Sequence, residues 1–171
     1  MAGSYGGVGA RSGSNLGPLV AVAGPGDASE DVLARAEEVG RLLAQAGAAV
    51  LCGGLGGVME AACRGAAAAD GLSVGLLPGS DRGAANRYVS ITLATGLGEM
   101  RNALLVRCSH AVIGVGGSTG TLSEIALAAR TGKPVVWLGG WHVPELDVAV
   151  AVSAEDAVAS VMRQIETRET G

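Results

Sequence analysis

From Leu19 onward, apolar residues gather in short unbroken runs separated by longer stretches of mixed polarity. The runs are Leu19–Gly24, Ala48–Gly53, Ser73–Leu77, Val89–Ala94, Ala111–Val115 and Pro134–Leu138. They show no two-residue alternation, so they read as parallel strands buried on both faces. The stretches between them carry a helical rhythm. Ser29–Ala46 places Val32, Leu33, Val39, Leu42 and Leu43 on one face, with Glu30 and Asp31 in its first turn. Helices are also predicted over 55–70, 97–109 and 119–131, and a last one over Ala154–Arg168 after Ser153. Gly47, Gly71 and Gly132 each stand where a helix gives way to a strand, the place for a left-handed closing residue. Strand and helix in regular alternation predict one doubly wound, Rossmann-like α/β domain, with a mainly parallel sheet flanked by helices. It is expected over residues 18–171. Residues 1–17 are rich in Gly and Ser, lack a hydrophobic period, and are expected to be a disordered leader.

Composition narrows the function. The chain has 29 glycines among 171 residues, no Phe, and only two Trp and two Tyr. Its core must therefore be aliphatic, and glycine must have structural work. A net charge of −4 without a basic stripe argues against a general nucleic-acid binder. Three cysteines at 52, 63 and 108 make no CxxC pair and no disulfide framework, so they read as reduced, mostly buried thiols of a cytoplasmic protein. No apolar run approaches the ~18 residues of a membrane span. His110 and His142 have no partner at ligand spacing, so no metal site is expected, and both read as structural or exposed.

The informative glycines sit at strand ends. The first strand runs into Gly24-Pro25-Gly26-Asp27 instead of GxGxxG, and the second ends without an acid for a ribose hydroxyl. NAD or FAD bound in the usual way is disfavoured, and the GxxxxGK loop is absent. Two clusters remain: Gly53-Gly54-Leu55-Gly56-Gly57-Val58-Met59, and Gly114-Val115-Gly116-Gly117-Ser118-Thr119-Gly120-Thr121. Each leads from a strand into a helix. Glycine lets backbone N–H groups approach an anion, and the helix N-terminus adds partial positive charge. Close strand–helix packing wants glycine too. Glu124 follows three residues after Thr121, which fits either a capping box or a site carboxylate. Arg101 opens the preceding helix at the same sheet edge and could meet a phosphate or orient that carboxylate. Asp27, Asp81 and Asn86 lie in loops near strand ends as further candidate contacts.

Gly116-Gly117-Ser118-Thr119-Gly120-Thr121-Leu122-Ser123-Glu124, preceded by Arg101, resembles the signature of the LOG-like (Lonely Guy) family. The resemblance takes in Gly53, Gly54, Gly56, Gly57 and Met59, and extends from about residue 19 to residue 138. It implies a modified Rossmann fold, a homodimer or homotetramer, and cleavage of the N-glycosidic bond of a nucleoside 5′-monophosphate to base and ribose 5-phosphate. Arg101 and Glu124 would be catalytic. Gly24, Gly53, Gly54, Gly56, Gly57, Met59, Asn102 and the run Gly116, Gly117, Ser118, Thr119, Gly120 and Thr121 would bind the nucleotide or its phosphate. Gly116, Ser118 and Asn102 depart from the family's Pro, Gly and Lys. Asn102 makes the chain similar to a bacterial branch that also resembles the molybdenum cofactor carrier protein, a binder of a phosphorylated pterin.

Three readings follow: a nucleoside monophosphate hydrolase, a non-catalytic carrier or sensor of a phosphorylated ligand such as molybdenum cofactor, and an assembly module whose glycine loops only pack. No cofactor is required in any of them. The expected partner is a small phosphorylated ligand (a nucleoside monophosphate, phosphate or molybdenum cofactor), not nucleic acid or membrane.

Overall fold

The computed structural model describes residues 17–170. The leader expected over residues 1–17 lies outside the described residues except for Gly17. Seven strands alternate with helices: β1 Leu19–Ala23, α1 Glu30–Gln45, β2 Ala49–Cys52, α2 Val58–Ala68, β3 Ser73–Leu77, β4 Ile91–Ala94, α3 Arg101–Cys108, β5 Ala111–Val115, α4 Thr119–Arg130, β6 Val135–Leu138, β7 Ala149–Ala151 and α5 Ala154–Glu169. The strands form one sheet in the order β4-β3-β2-β1-β5-β6-β7, and every pairing is parallel. This is the doubly wound α/β architecture expected from the run pattern.

The unbroken apolar runs follow from burial on both sides. Val20 and Val22 of β1 join Val50, Ile113 and Val136 in the layer under α1, α2 and α5. Ala21 and Ala23 join Leu51, Val112 and Trp137 in the layer under α3 and α4. The central strands β1, β2, β5 and β6 are therefore free of polar side chains.

Departures from the predicted boundaries have local causes. α2 starts at Val58 instead of 55, because Gly54 and Gly57 hold positive φ of 74° and 64°. β4 starts at Ile91; before it, Ser90 N is shared between the carbonyl and the Oγ of Ser73, and Ser73 N donates to Ser90 Oγ, all at 3.1 Å. The strand β7 went unpredicted, since three small residues carry too little pattern. Gly47 and Gly132 take the left-handed conformation at φ 77° and 67°, but at the third junction Asp70 does so, at 56°. Gly71 is instead required by closeness, for a Cβ there would lie 2.3 Å from that of Ala44. Two of the three thiols are buried, Cys52 and Cys63, with sulfurs 3.4 Å apart; Cys108 is exposed. The hydrogen bond to Cys63, together with burial, pushes the Cys52 thiol up and keeps it protonated. No described helix is long and apolar enough to cross a membrane.

Helices α1 and α2 meet backbone to backbone. A Cβ on Gly40 would lie 2.0 Å from the Ala62 carbonyl oxygen, and one on Gly65 would lie 1.8 Å from that of Glu37. Arg64 closes the seam from outside by donating to Glu37 at 2.7 Å. Gly65→Ala must push the helices apart, and overpacking of this kind costs about 2–3 kcal/mol. Urea unfolding should show that loss for Gly65→Ala. Gly79→Ala, where nothing stands within 4 Å, should stay within about 0.5 kcal/mol of the parent.

Candidate functional site

The strand order reverses between β1 and β5: one half of the chain builds outward through β2 to β4, the other through β6 to β7. The connections after β1 and β5 must therefore diverge, leaving a crevice at the carboxyl ends of those two strands. A cavity of about 370 Å³ opens there. Its floor is the loop Gly24–Asp27 with Gly53 and Met59. Its far wall is Arg101 and Asn102 from α3, and Ser118, Gly120, Thr121 and Glu124 from α4.

The start of α4 is built for an anion. Ser118 is the N-cap, and its hydroxyl accepts from Thr121 N at 3.1 Å. That satisfies one of the free N–H groups of the first turn. The N–H groups of Thr119 and Gly120 have no intrahelical acceptor and carry the positive end of the helix dipole. Because Ser118 caps the helix, the Thr121–Glu124 capping box does not form. Glu124 lies one turn in and faces the cleft.

Arg101 and Glu124 come from different helices and are both about nine-tenths buried. The guanidinium occupies space that only glycine leaves open, since a Cβ on Gly53 would lie 2.4 Å from Arg101 Nη1 and Nη2. Arg101 Nη1 is 3.9 Å from Glu124 Oε1, an ion-pair separation too long for a hydrogen bond. Arg101 Nε is buried without any hydrogen-bond partner. Burial pushes the Glu124 carboxyl up to about 7, with Arg101 pulling the other way. Near neutrality the buried guanidinium thus has beside it only a partly ionised carboxyl, with Asp27 at the exposed rim of the cleft.

The other predicted site residues are placed as follows. Gly54, Gly56, Gly57, Gly116, Gly117 and Thr119 are not part of the cavity lining. Gly54 packs on Gly75, and Gly57 packs on Pro25 and Gly26. Val58 N at the start of α2 donates to the Pro25 carbonyl at 3.1 Å, so one N–H of this helix end is answered by protein. Gly116, at φ 68°, turns the chain out of β5 and accepts from Trp137 Nε1 at 2.7 Å. Trp141 covers Gly117, with Nε1 2.6 Å from where a Cβ would stand. Thr119 lies on the outer side of α4. Asp27 reaches the cleft; Asp81 caps Gly83 N, and Asn86 donates to the carbonyls of Gly54 and Leu55. Among the described residues no group of three His, Cys, Asp or Glu could hold a metal. His110 Nδ1 accepts from Leu19 N at 3.0 Å. Pro25 and Gly26 were not singled out as site residues, although a Pro-Gly turn directly after the first strand was the available signal.

The SLOG cluster4 family model matches residues 18–169. The chain belongs to the SLOG cluster4 family. The LOG-like resemblance carried by Gly116–Glu124 agrees with that membership. An uncharacterized protein of Archaeoglobus fulgidus is 43% identical over 119 residues, 70% of this chain and 78% of that one. The structure is also similar to the molybdenum cofactor binding protein of Rippkaea orientalis, with 36% identity, TM-score 0.83, and coverage of 89% of this chain and 99% of that one. The molybdenum cofactor carrier protein of Chlamydomonas reinhardtii gives 36% identity and TM-score 0.79, over 88% and 99%.

The raised Glu124 carboxyl has a consequence for this SLOG protein's stability. Between its ordinary 4.5 and about 7, the folded chain holds a proton that the unfolded chain releases. Stability from this group is therefore complete below pH 4.5 and declines as pH rises toward 7. Glu124→Gln should abolish that slope. Relative to the variant, the parent should lose on the order of 3 kcal/mol between pH 4.5 and 7.5, read from urea midpoints across a pH series.

Proposed function

We propose that the protein binds a small phosphorylated ligand in the crevice between β1 and β5 and carries it without transforming it, with molybdenum cofactor as cargo. The observation that carries this reading is Arg101: a nine-tenths-buried guanidinium with an unpartnered Nε, facing a cavity at the start of α4. A buried cation with a donor to spare calls for an anion with several acceptor oxygens, which a phosphate supplies. The likeness to molybdenum cofactor binding and carrier proteins supports the choice of cargo. The cavity residues fit the phosphorylated end of such a ligand. None of them is Cys or His, so the protein would hold the phosphate and leave the metal to the cofactor's own sulfurs.

A second reading rests on a different observation. Glu124 sits beside Arg101 with a carboxyl near neutrality. A carboxylate there could steady a cationic ribose or draw a proton from water, while Arg101 holds the phosphate of a nucleoside monophosphate. Water would replace the base on the ribose carbon, giving free base and ribose 5-phosphate.

One pair of experiments separates the two. Protein incubated with molybdenum cofactor released from a molybdoenzyme should retain both molybdenum and pterin through gel filtration. Arg101→Gln should lower that retention about tenfold or more, as expected when a charge-assisted hydrogen bond is lost. Retention unaffected by the substitution would sink the carrier reading. Incubation with AMP, CMP and GMP should release no ribose 5-phosphate. Release that Glu124→Gln abolishes would establish the hydrolase instead.

A further inference from the structure

The strand ends opposite the crevice carry a second concentration of positive charge. Helices α3, α4 and α5 finish there, at Cys108, Arg130 and Glu169, beside the starts of β5 and β6. A depression of about 380 Å³ opens between these ends. Arg107 and Cys108 reach it from the last turn of α3, and Arg168 from the last turn of α5. His110 comes from the turn into β5, and Lys133 from the turn into β6. No described Asp or Glu lines it.

The helix ends account for part of this charge. Lys133 Nζ donates to the carbonyls of Arg107 and Ser109 at the end of α3, and Arg168 donates to the Gly132 carbonyl after α4. A helix terminus is worth about half a negative charge, so three of them fall short of three full cations. Among the described residues, Arg35, Arg41, Arg64 and Arg101 each have a carboxylate within ion-pair distance, whereas Arg107, Lys133 and Arg168 have none. Burial, reinforced by Arg168 and Arg107, pushes the Lys133 ammonium down, against an opposing pull from Cys108. The cations are thus close enough to repel one another.

We propose that this depression binds a small multivalent anion, as a second ligand site at the far end of the sheet from Arg101. Every charged side chain in the lining is a donor. The carbonyl tethers hold Lys133 and Arg168 in place, so little order is lost when they meet a ligand. His110 Nδ1 accepts from Leu19 N, so its neutral ring carries the proton on Nε2 and donates from there. Guanidinium and ammonium groups around one small space suit a molecule with two or more negative charges, borne by phosphate or by carboxylate. The site stands or falls independently of the crevice.

Cys108 makes it measurable. Cys52 and Cys63 are buried and Cys108 is exposed, so a neutral alkylating reagent acting on the native protein reports on this depression. The test follows alkylation of Cys108 by iodoacetamide, read by mass spectrometry, with ionic strength held constant by sodium chloride so that screening is fixed. Inorganic pyrophosphate and citrate are the probes. At least one should slow the reaction about fivefold or more, with a midpoint of about 1 mM or below. The tighter of the two tells phosphate from carboxylate chemistry. Arg107→Gln and Arg168→Gln should each raise the midpoint about tenfold, each variant being compared with its own anion-free rate. Arg107 is exposed, so its variant stays readable should Arg168→Gln fail to fold. Arg101→Gln, at the other end of the sheet, should leave the midpoint within about twofold. If neither anion slows alkylation, or if the slowing survives in both Arg107→Gln and Arg168→Gln, the depression is no anion site. If Arg101→Gln abolishes the slowing, the anion acts from the crevice and the proposal is overturned.

Discussion

A guanidinium held out of water must be answered by negative charge, and in this protein the answer is incomplete. Arg101 is locked between Gly53 and the start of α4, yet Glu124 stops at 3.9 Å and burial holds its carboxyl near neutrality. The protein thus maintains an unbalanced positive site at the cost of folding stability. Other features of the crevice are arranged around that imbalance. Gly53 leaves room for the guanidinium, Ser118 fixes where α4 begins, and the N–H groups of Thr119 and Gly120 add further positive potential.

The sheet makes such a site structurally accessible. Charge can be concentrated at the reversal between β1 and β5 because the chain has no need to cover that edge. Elsewhere the same chain is closed tightly. The α1–α2 seam admits no Cβ at Gly40 or Gly65, and the glycine loop before α2 is filled by Pro25 and Gly26. Two glycine clusters of similar composition therefore serve different ends. The one before α2 brings backbone against backbone, and Pro25 accepts from the first N–H of its helix. The one before α4 stays open.

That difference marks how far the sequence could be read. The parallel sheet was legible because burial on both faces removes alternation from the strands, a signal spread over six runs. The grouping of Arg101 with Glu124 and Gly120 was legible through the family-like signature. What stayed hidden depended on pairs of elements far apart in the chain. The Pro25 carbonyl that accepts from the first N–H of α2 is one case. The strand β7 is another, an edge strand paired to β6 with only Ala151 of its three residues buried. Asp70 in a left-handed conformation beside an available glycine is a third, decided by the closeness of Ala44 to Gly71.

The tryptophans give the molecule an optical property. The chain has two, and both touch the turn that delivers α4 to the crevice. Trp137 donates to the Gly116 carbonyl from the buried side, and Trp141 lies over Gly117 from the half-exposed side. With Phe absent, ultraviolet emission from residues 17–170 is dominated by indoles placed at one corner of the sheet. The protein is consequently its own fluorophore-labelled derivative, with one indole shielded and one facing solvent, and its emission spectrum is a local record of that turn.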